Sequence, residues 1–153
     1  MPLAITLPAL RFTLIEATGK KARFIERADD ALGLANVRVV AQRAEDVGRA
    51  VQHRQQYDAA ICRAVGPMRE LLEYTLPLVK VSGFLLAMKG PSVEEELAQA
   101  GDALQTLGGG DVQLIDAYPD GFDIHTVIVG VVKARSTPKD YPRRPGVPRQ
   151  DPL

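Results

Sequence analysis

The sequence is poor in several residue types, and each shortage excludes a class of protein. It has one cysteine, Cys62, and no tryptophan among its 153 residues. A single cysteine cannot form an internal disulfide bond, so a disulfide-held scaffold is excluded and a reducing compartment is favoured. No apolar run approaches the roughly 20 residues that span a bilayer. The apolar start contains Pro2 and Pro8 and lacks a basic leader, so we expect no signal peptide and a cytoplasmic protein.

Charge of either sign is not in excess. The 19 Lys and Arg residues are balanced by 19 Asp and Glu residues, so the net charge gives no general preference for nucleic acid or membrane. Any such preference must come from local patches. Hydrophobic residues make up 46% of the chain and charged residues 25%, which is typical of a globular protein. The length predicts one domain with a proper core.

Hydrophobic periodicity predicts that strands and helices alternate along the chain. We expect strands at residues 11–15, 37–40, 57–62, 83–88, 112–117 and 124–132. Between them we expect a helix at residues 20–34, a weak helical segment that ends near residue 55, and helices at residues 68–78 and 93–107. The apolar face of the first helix is predicted to comprise Phe24, Ile25, Ala28, Ala31 and Leu32. Ser92, with Glu95 three residues on, predicts a capping box for the last helix.

The last two predicted strands indicate the fold class. Only a short link joins the last two strands, so they should pair antiparallel. An α/β doubly wound sheet with a terminal antiparallel hairpin is typical of class I S-adenosylmethionine-dependent methyltransferases. From residue 136 onward, prolines alternate with arginines and lysines, which predicts an extended basic tail outside the core, following a domain at residues 1–135.

A carboxylate at a strand end is the first sign of a ligand site. Glu16 follows the strand at residues 11–15, and in open α/β sheets ligands lie beyond the carboxyl ends of the strands. A carboxylate at such a position accepts both hydroxyls of a nucleoside ribose. The alternative is a surface carboxylate without a ligand.

Several strings of the sequence resemble one family, in the family's order and at comparable spacing. They are residues 12–21, 32–40, 43–46, 63–65, 88–91 and 141–148. The family is the bacterial 16S ribosomal RNA guanine-N7 methyltransferases, also called glucose-inhibited division protein B. The resemblance implies a Rossmann-like fold and transfer of a methyl group from S-adenosylmethionine to N7 of a guanosine in 16S rRNA of the small ribosomal subunit.

The resemblance also implies roles for individual residues. Besides Glu16, the cofactor-binding residues would be Ala17, Thr18, Ala44, Glu45 and Arg63. Thr18 could instead be the N-cap of the next helix, and Glu45 could instead serve the first turn of its helix. Arg63 would hold the cofactor carboxylate or the RNA.

The RNA-contacting residues would be Lys89, Arg143 and Arg144. Lys89 follows the fourth strand and would face the target base or its phosphate, although a solvated lysine is the plain alternative. Tyr118 and Phe122 are candidates to grip a base, and Lys20, Lys21 and Arg23 could form a phosphate patch or simply the wet face of a helix. We find no metal-ligand spacing and no catalytic triad, and N7 of guanine needs no general base because it carries a free lone pair. We expect no membrane partner, and the full-length family is expected to be monomeric.

One departure from the family affects the sheet. Family members carry an earlier strand and a Gly-rich loop ending in Pro-Gly, whereas this sequence begins with residues that resemble those after the loop. We therefore expect an N-terminally shortened chain. The absent strand would lie between the strands at residues 11–15 and 57–62, so each of these would lack a ladder partner.

Three functions remain compatible with the sequence. The first is the rRNA methyltransferase, and the second is a non-catalytic RNA-binding remnant that lacks a complete cofactor site. The third, a nucleotide-binding oxidoreductase, is disfavoured because no Gly-x-Gly-x-x-Gly follows a predicted strand.

Overall fold

The computed structural model describes residues 1–118 and 126–153, and the chain divides into two compact units. The N-terminal unit is Met1–Ala44 and the C-terminal unit is Glu45–Leu153. Within the described residues, no helix is long and apolar enough to cross a membrane.

The N-terminal unit is a strand–helix–strand crossover preceded by a short helix. Its elements are α1 (Pro2–Thr6), β1 (Phe12–Ile15), α2 (Gly19–Leu32) and β2 (Val37–Val40). β1 and β2 pair in parallel, with Phe12 opposite Val37 and Ile15 opposite Val40. Parallel neighbours need a crossover of this kind, since a tight turn can only join antiparallel strands. The Asn36 amide ties the loop before β1 to β2, because it donates to the Leu10 carbonyl at 2.9 Å and the Ala4 carbonyl at 3.0 Å.

Helix α2 has the predicted position but a different buried side. It ends at Gly33, whose backbone is left-handed (φ 61°), a conformation in which glycine has no steric penalty. Ala22 is buried, whereas Phe24 is 71% exposed and Leu32 is 52% exposed. The predicted apolar face was therefore wrong for Phe24, Ala31 and Leu32, which are exposed, because the unit packs the small Ala22 inward instead.

The C-terminal unit is built on a four-stranded mixed sheet. Its elements begin with α3 (Ala44–Arg49), which starts at the last residue of the N-terminal unit. They continue with β3 (Tyr57–Arg63), α4 (Met68–Thr75), β4 (Val79–Lys89), α5 (Val93–Ala98), α6 (Gly101–Leu107), β5 (Gly109–Asp116), β6 (Val127–Lys133) and α7 (Val147–Gln150). The strand order is β3-β4-β6-β5. β3 and β4 are parallel, while β6 runs antiparallel to both β4 and β5, which confirms the predicted terminal hairpin.

Across residues 1–118 and 126–153, β1 and β3 each have a single strand partner within their own unit. In the part of the chain that the structure describes, β1 pairs only with β2, and β3 pairs only with β4. Within the described residues, each of these two strands is therefore an edge strand of its sheet.

Two predicted helices have different ends. Helix α4 stops at Thr75 rather than residue 78, because Pro77 has no backbone N–H to donate a helical hydrogen bond. The helix predicted at residues 93–107 is two helices, α5 and α6, which separate before Gly101, a poor helix former. The capping box is absent, and the Ser92 hydroxyl instead lies 3.4 Å from Glu96 Oε1.

The core of the C-terminal unit lies between the sheet and helices α4 to α6. From the sheet, β4 contributes Leu85 and β6 contributes Val129 and Val131. Helix α4 covers them with Leu71 and Leu72. Burying a leucine side chain of this kind stabilises a fold by about 1.5–3 kcal/mol, so this layer fixes the two parallel strands whose ends carry the candidate site.

The last part of the chain packs on this unit, so the prediction of an extended tail outside the core was wrong. Arg54 holds its start, donating to the carbonyl of Thr137 at 2.8 Å and that of Tyr141 at 2.6 Å. Pro142 is buried against Gly48, where a Cβ atom would lie 2.9 Å from the proline ring. The sequence pattern misses these contacts because they join residues far apart in the chain.

A buried ion pair holds the middle of the tail. Glu73 is fully buried, and its carboxylate accepts from Arg143 Nη2 at 2.7 Å and from the Arg143 backbone N–H at 2.7 Å. The Glu73 carboxylate raises the pKa of the Arg143 guanidinium above its ordinary value. Arg144, the next residue, is exposed.

A second buried cation, Lys133, fastens the end of β6. Its ammonium nitrogen donates to the carbonyls of Leu76 at 2.7 Å and Leu107 at 2.9 Å, and to the Thr137 hydroxyl. Burial, with a smaller contribution from nearby Arg54, lowers the pKa of Lys133 from 10.5 to about 7.

We expect Arg143→Ala to destabilise the C-terminal unit by about 3–5 kcal/mol, because it leaves the buried Glu73 carboxylate without its counter-charge. The matched control is Arg144→Ala, which should change the free energy of unfolding by less than about 0.5 kcal/mol. Urea unfolding of both variants measures the difference. Equal stabilities for the two variants would contradict this role of the ion pair.

We expect stability to rise with pH above about 7 through Lys133. In the unfolded chain the amine keeps its proton up to about 10.5, whereas the folded protein releases it near 7. Between these values the unfolded state binds more protons, so the free energy of unfolding increases with pH, by at most about 1.4 kcal/mol per pH unit. Urea unfolding between pH 6.5 and 10 should show this slope for the parent and a flatter curve for Lys133→Met. Parallel curves would show that Lys133 does not titrate there.

Candidate functional site

The carboxyl ends of β1 and β2 form one edge of the N-terminal unit. The register of the parallel pair places Ile15 opposite Val40, and the Glu16 backbone N–H donates to the Val40 carbonyl at 3.1 Å. Glu16 therefore lies at the edge where ligands of open α/β sheets bind.

The Glu16 carboxylate is half-buried and held in one orientation. Its Oε1 accepts from the backbone N–H of Thr18 at 2.7 Å. Within residues 1–118 and 126–153, the structure records no partner for Oε2. A carboxylate fixed by one oxygen and open at the other is suited to accept hydrogen bonds from a pair of hydroxyl groups.

The turn after Glu16 also offers polar groups. Ala17 and Thr18 are both exposed. Thr18 occupies the N-cap position of α2, but its hydroxyl makes no capping hydrogen bond. The hydroxyl of Thr18 is thus available to a ligand. The N-cap position of Thr18 is the one expected if the residue serves only to start α2.

Ala44 and Glu45 begin α3 and have different surroundings. Ala44 is half-buried, and the structure records no acceptor for its backbone N–H in the described parts of the chain. Glu45 is 3% exposed, and its Oε1 accepts from the Gly146 backbone N–H at 3.0 Å. One oxygen of Glu45 is therefore used to hold the tail, a contact that sequence reasoning missed because Gly146 is far away in the chain.

The C-terminal unit has its own strand-end site, which we call the β3–β4 cavity. β3 ends at Arg63 and β4 ends at Lys89, and the register places Arg63 opposite Met88. A cavity of about 240 Å³ opens there. It is lined by Arg63, Ala64, Met88, Lys89, Gly90, Glu96 and Thr126. Arg63 is exposed, and no hydrogen bond or ion pair of its guanidinium is recorded among the described residues.

Lys89 has protein partners in this cavity. Its ammonium lies 2.6 Å from Glu96 Oε2 and donates to the Gly66 carbonyl at 2.8 Å, and only 10% of its side chain is exposed. Glu96 Oε2 also accepts from the Met68 backbone N–H at 2.9 Å, at the start of α4. Lys89 therefore positions the loop after β3, and any contact of Lys89 with RNA would need Glu96 to share its ammonium.

Sequence reasoning missed Glu96. The capping-box pattern drew attention to Glu95, one residue earlier. The glutamate that pairs with Lys89 is Glu96, because α5 packs against the start of α4 and places Glu96 beside the Met68 backbone N–H. The sequence signal that could have found it is the run of three glutamates, residues 94–96, following Lys89.

Two other side chains of types that often act as nucleophiles or bases, Cys62 and His53, are partly or fully withdrawn from solvent. Burial raises the pKa of the Cys62 thiol to about 11, against a smaller opposing effect of Lys89, so Cys62 is a core residue rather than a nucleophile at neutral pH. His53 is buried, with Nδ1 2.5 Å from the Tyr57 hydroxyl. Among the described residues, no group of three or more His, Cys, Asp or Glu side chains could hold a metal ion.

The remaining predicted contacts are distributed as follows. Arg143 is engaged with Glu73 and is not an exposed cation, so the expected phosphate contact of Arg143 conflicts with its structural role. Arg144 is exposed, and Tyr118 is 39% exposed at the end of the hairpin strand. Phe122, the other candidate to grip a base, lies outside the described residues.

Comparison with known proteins agrees with these observations. A family model described as "rRNA small subunit methyltransferase G" (GidB) matches residues 1–118. Proteins named ribosomal RNA small subunit methyltransferase G from Leuconostoc citreum and Alkaliphilus metalliredigens are 45% and 37% identical over the whole chain. The chain spans 64% of the length of each of these curated relatives.

Solved structures show the same fold at lower identity. A 16S rRNA (adenine(1408)-N(1))-methyltransferase from Catenulisporales acidiphilia, crystallised with its cosubstrate SAM, has a TM-score of 0.66 and 16% identity, over 90% of this chain and 80% of that one. An rRNA methylase from Streptococcus thermophilus has a TM-score of 0.58 and 16% identity, over 82% and 74%. The fold is that of the class I S-adenosylmethionine-dependent methyltransferases. With a family model covering most of its length and relatives at this identity, the chain belongs to the rRNA small subunit methyltransferase G (GidB) family.

Proposed function

We propose that this chain transfers a methyl group from S-adenosylmethionine to N7 of a guanosine in 16S rRNA, in the cytoplasm. The observation that carries the proposal is the Glu16 carboxylate, held at the end of β1 by the Thr18 backbone N–H with its second oxygen open. The family to which the chain belongs supplies the reaction class.

The residues at the N-terminal edge fit the nucleoside part of the donor. Glu16 Oε2 is placed to accept from ribose hydroxyls, and the exposed Thr18 hydroxyl lies in the same turn. The backbone N–H of Ala44, which has no recorded acceptor among the described residues, fits a contact to the adenine edge of the donor. Glu45, the first residue of the C-terminal unit, has its Oε1 bound to Gly146, which leaves only its other oxygen for a ligand.

The donor supplies an activated methyl group on its sulfonium, and the acceptor N7 has a lone pair and no proton. The chain therefore needs no general base. Its own residues have to bind the donor and the guanosine and align N7 with the methyl group. Alignment of two reactants lowers the activation free energy by roughly 7–11 kcal/mol in well-oriented systems. The absence of a reactive nucleophile at Cys62, whose thiol has a raised pKa, fits this requirement.

The exposed Arg63 at the β3–β4 cavity fits an anion. Two anions remain open for it, the carboxylate of the donor and a phosphate of the RNA. The exposed Arg144 fits a second RNA phosphate, which would add salt-dependent affinity without sequence choice.

We expect Glu16→Gln to weaken S-adenosylmethionine binding by about 10- to 100-fold. The glutamine keeps the shape and can still accept from the Thr18 N–H, but a hydrogen bond to an ionised acceptor contributes about 1.5–3 kcal/mol, against about 0.5–1.5 kcal/mol for a neutral acceptor. Calorimetric titration measures binding, and tritium transfer from the labelled donor to a 16S rRNA transcript measures activity. Asp30→Asn, an exposed carboxylate on α2, is the matched control.

The outcomes of this experiment separate the candidate functions. One-site donor binding and labelled guanosine N7 with the parent chain support the enzyme. Binding of the transcript without any donor heat would favour the RNA-binding remnant, and unchanged donor affinity in Glu16→Gln would remove the observation on which the proposal rests.

We expect Arg63→Gln to weaken binding of one of the two anions by about tenfold, the size of a lost charged hydrogen bond. Titration with S-adenosylmethionine and with methylthioadenosine, which lacks the amino acid carboxylate, tests the donor. Filter binding of the transcript tests the phosphate. Arg38→Gln, an exposed arginine on β2, is the control. If Arg63→Gln binds all three ligands as the parent does, Arg63 has no ligand role.

A further inference from the structure

One face of α2 is basic and carries an exposed aromatic ring. Lys20, Arg23, Phe24 and Arg27 stand at i, i+3, i+4 and i+7, so they share one side of the helix. Lys21 borders them, and together these five side chains line a shallow surface depression. We call these five residues the α2 basic face.

Phe24 is the unusual member of this face. It is 71% exposed, although burial of such an apolar side chain favours folding. The helix turns Ala22 inward instead, and Ile25 beside it is half-buried. Phe24 therefore contributes little to the core of its own unit, and its ring is left in contact with solvent between cations.

The cations around Phe24 are not neutralised. Across residues 1–118 and 126–153, none of Lys20, Lys21, Arg23 and Arg27 has a carboxylate within 4.0 Å. Glu26 and Asp30 lie on the same helix but make no ion pair with them. The Arg23 guanidinium lies over Gly19, 3.5 Å from where a Cβ atom would be, which brings its charge to the positive end of the helix.

We propose that the α2 basic face is a docking surface for the RNA substrate, in which Arg23, Arg27 and Lys20 contact phosphates and Phe24 stacks on an unpaired base. This inference rests on the proposed function for the identity of the RNA. Stacking on aromatic side chains beside cations is the usual means of binding single-stranded RNA, because every base has a π face.

The composition of the face argues against a membrane surface. An interfacial helix buries a broad apolar face in the lipid, whereas here a single aromatic side chain is surrounded by cations and the opposite side of α2 contributes the buried Ala22. The chain has zero net charge, so it has to hold RNA through a local basic patch. The α2 basic face is such a patch.

The test is binding of a 16S rRNA transcript to the full chain over a range of salt concentrations. We expect the double variant Arg23→Gln, Arg27→Gln to lose about tenfold or more in affinity at 0.1 M salt. The slope of log affinity against log salt should become shallower by about 1.4–1.8, since each phosphate contact contributes about 0.7–0.9. Phe24→Leu should lose about fivefold or more at every salt concentration, with an unchanged slope, because stacking is not ionic.

Three further measurements make the result specific. Arg38→Gln removes an exposed arginine of the same unit outside the face and should bind as the parent does. The variant Arg23→Lys, Arg27→Lys keeps the charge and should recover most of the affinity, which a merely structural effect would not explain. Calorimetry with S-adenosylmethionine should give the parent's donor affinity for Phe24→Leu.

The results distinguish this surface from the proposed function. Equal RNA affinity and equal salt slopes in the parent, the glutamine variant and Phe24→Leu would overturn the α2 surface while leaving donor binding and methyl transfer intact. Loss of RNA affinity in those variants from a parent that transfers no methyl group would support the surface and overturn the reaction instead. A vesicle of anionic lipid that binds the parent as tightly as the transcript does would also overturn it.

Discussion

The structure depends on parallel strand pairing, because such pairing brings the carboxyl ends of neighbouring strands to one edge. In the N-terminal unit this places Glu16, which follows β1, beside the end of β2. In the C-terminal unit it places Arg63 level with Met88, next to Lys89. Glu16 and Arg63 both stand at the end of a strand in the sequence, and the strand register places each of them at an edge where a ligand can bind.

Polar groups in the interior determine how the C-terminal unit closes. Glu73 and Lys133 are both fully buried, and each would be costly without partners. Their partners come from distant parts of the chain: Arg143 for Glu73, and the carbonyls of Leu76 and Leu107 for Lys133. The buried charges therefore explain why a proline-rich segment is ordered, since its backbone and its arginine satisfy groups that the core cannot leave unpaired.

The sequence was sufficient for the features that depend on local pattern. Strands β1 to β3, helix α2 with its Gly33 end, and the antiparallel hairpin were predicted within a few residues, because periodicity and turn residues are local signals. It was insufficient where the outcome depends on long-range packing. The choice between Ala22 and Phe24 as the inward residue of α2 is of this kind.

The candidate site shows the same division. Glu16 could be found from its place after a strand, since that position has a general meaning in α/β sheets. The partners of Lys89 and Glu45 could not be found, because Glu96 and Gly146 reach them only through the fold. A charged residue in a sequence is equally consistent with a ligand contact and with a structural contact, and the difference is decided by what else is buried nearby.

This division also bears on how a chain of zero net charge could bind RNA. Arg54, Lys133 and Arg143 donate their N–H groups to carbonyl and carboxylate groups of the protein itself, so these donors are not available to phosphate. The cations of α2 have no such partners among the described residues and surround an exposed ring. The proline- and arginine-rich tail at residues 136–153 and helix α2 each contain four basic residues. Because Arg143 of the tail is bound to Glu73, α2 keeps more of its cations available to phosphate, and electrostatic affinity depends on free charge rather than on total charge.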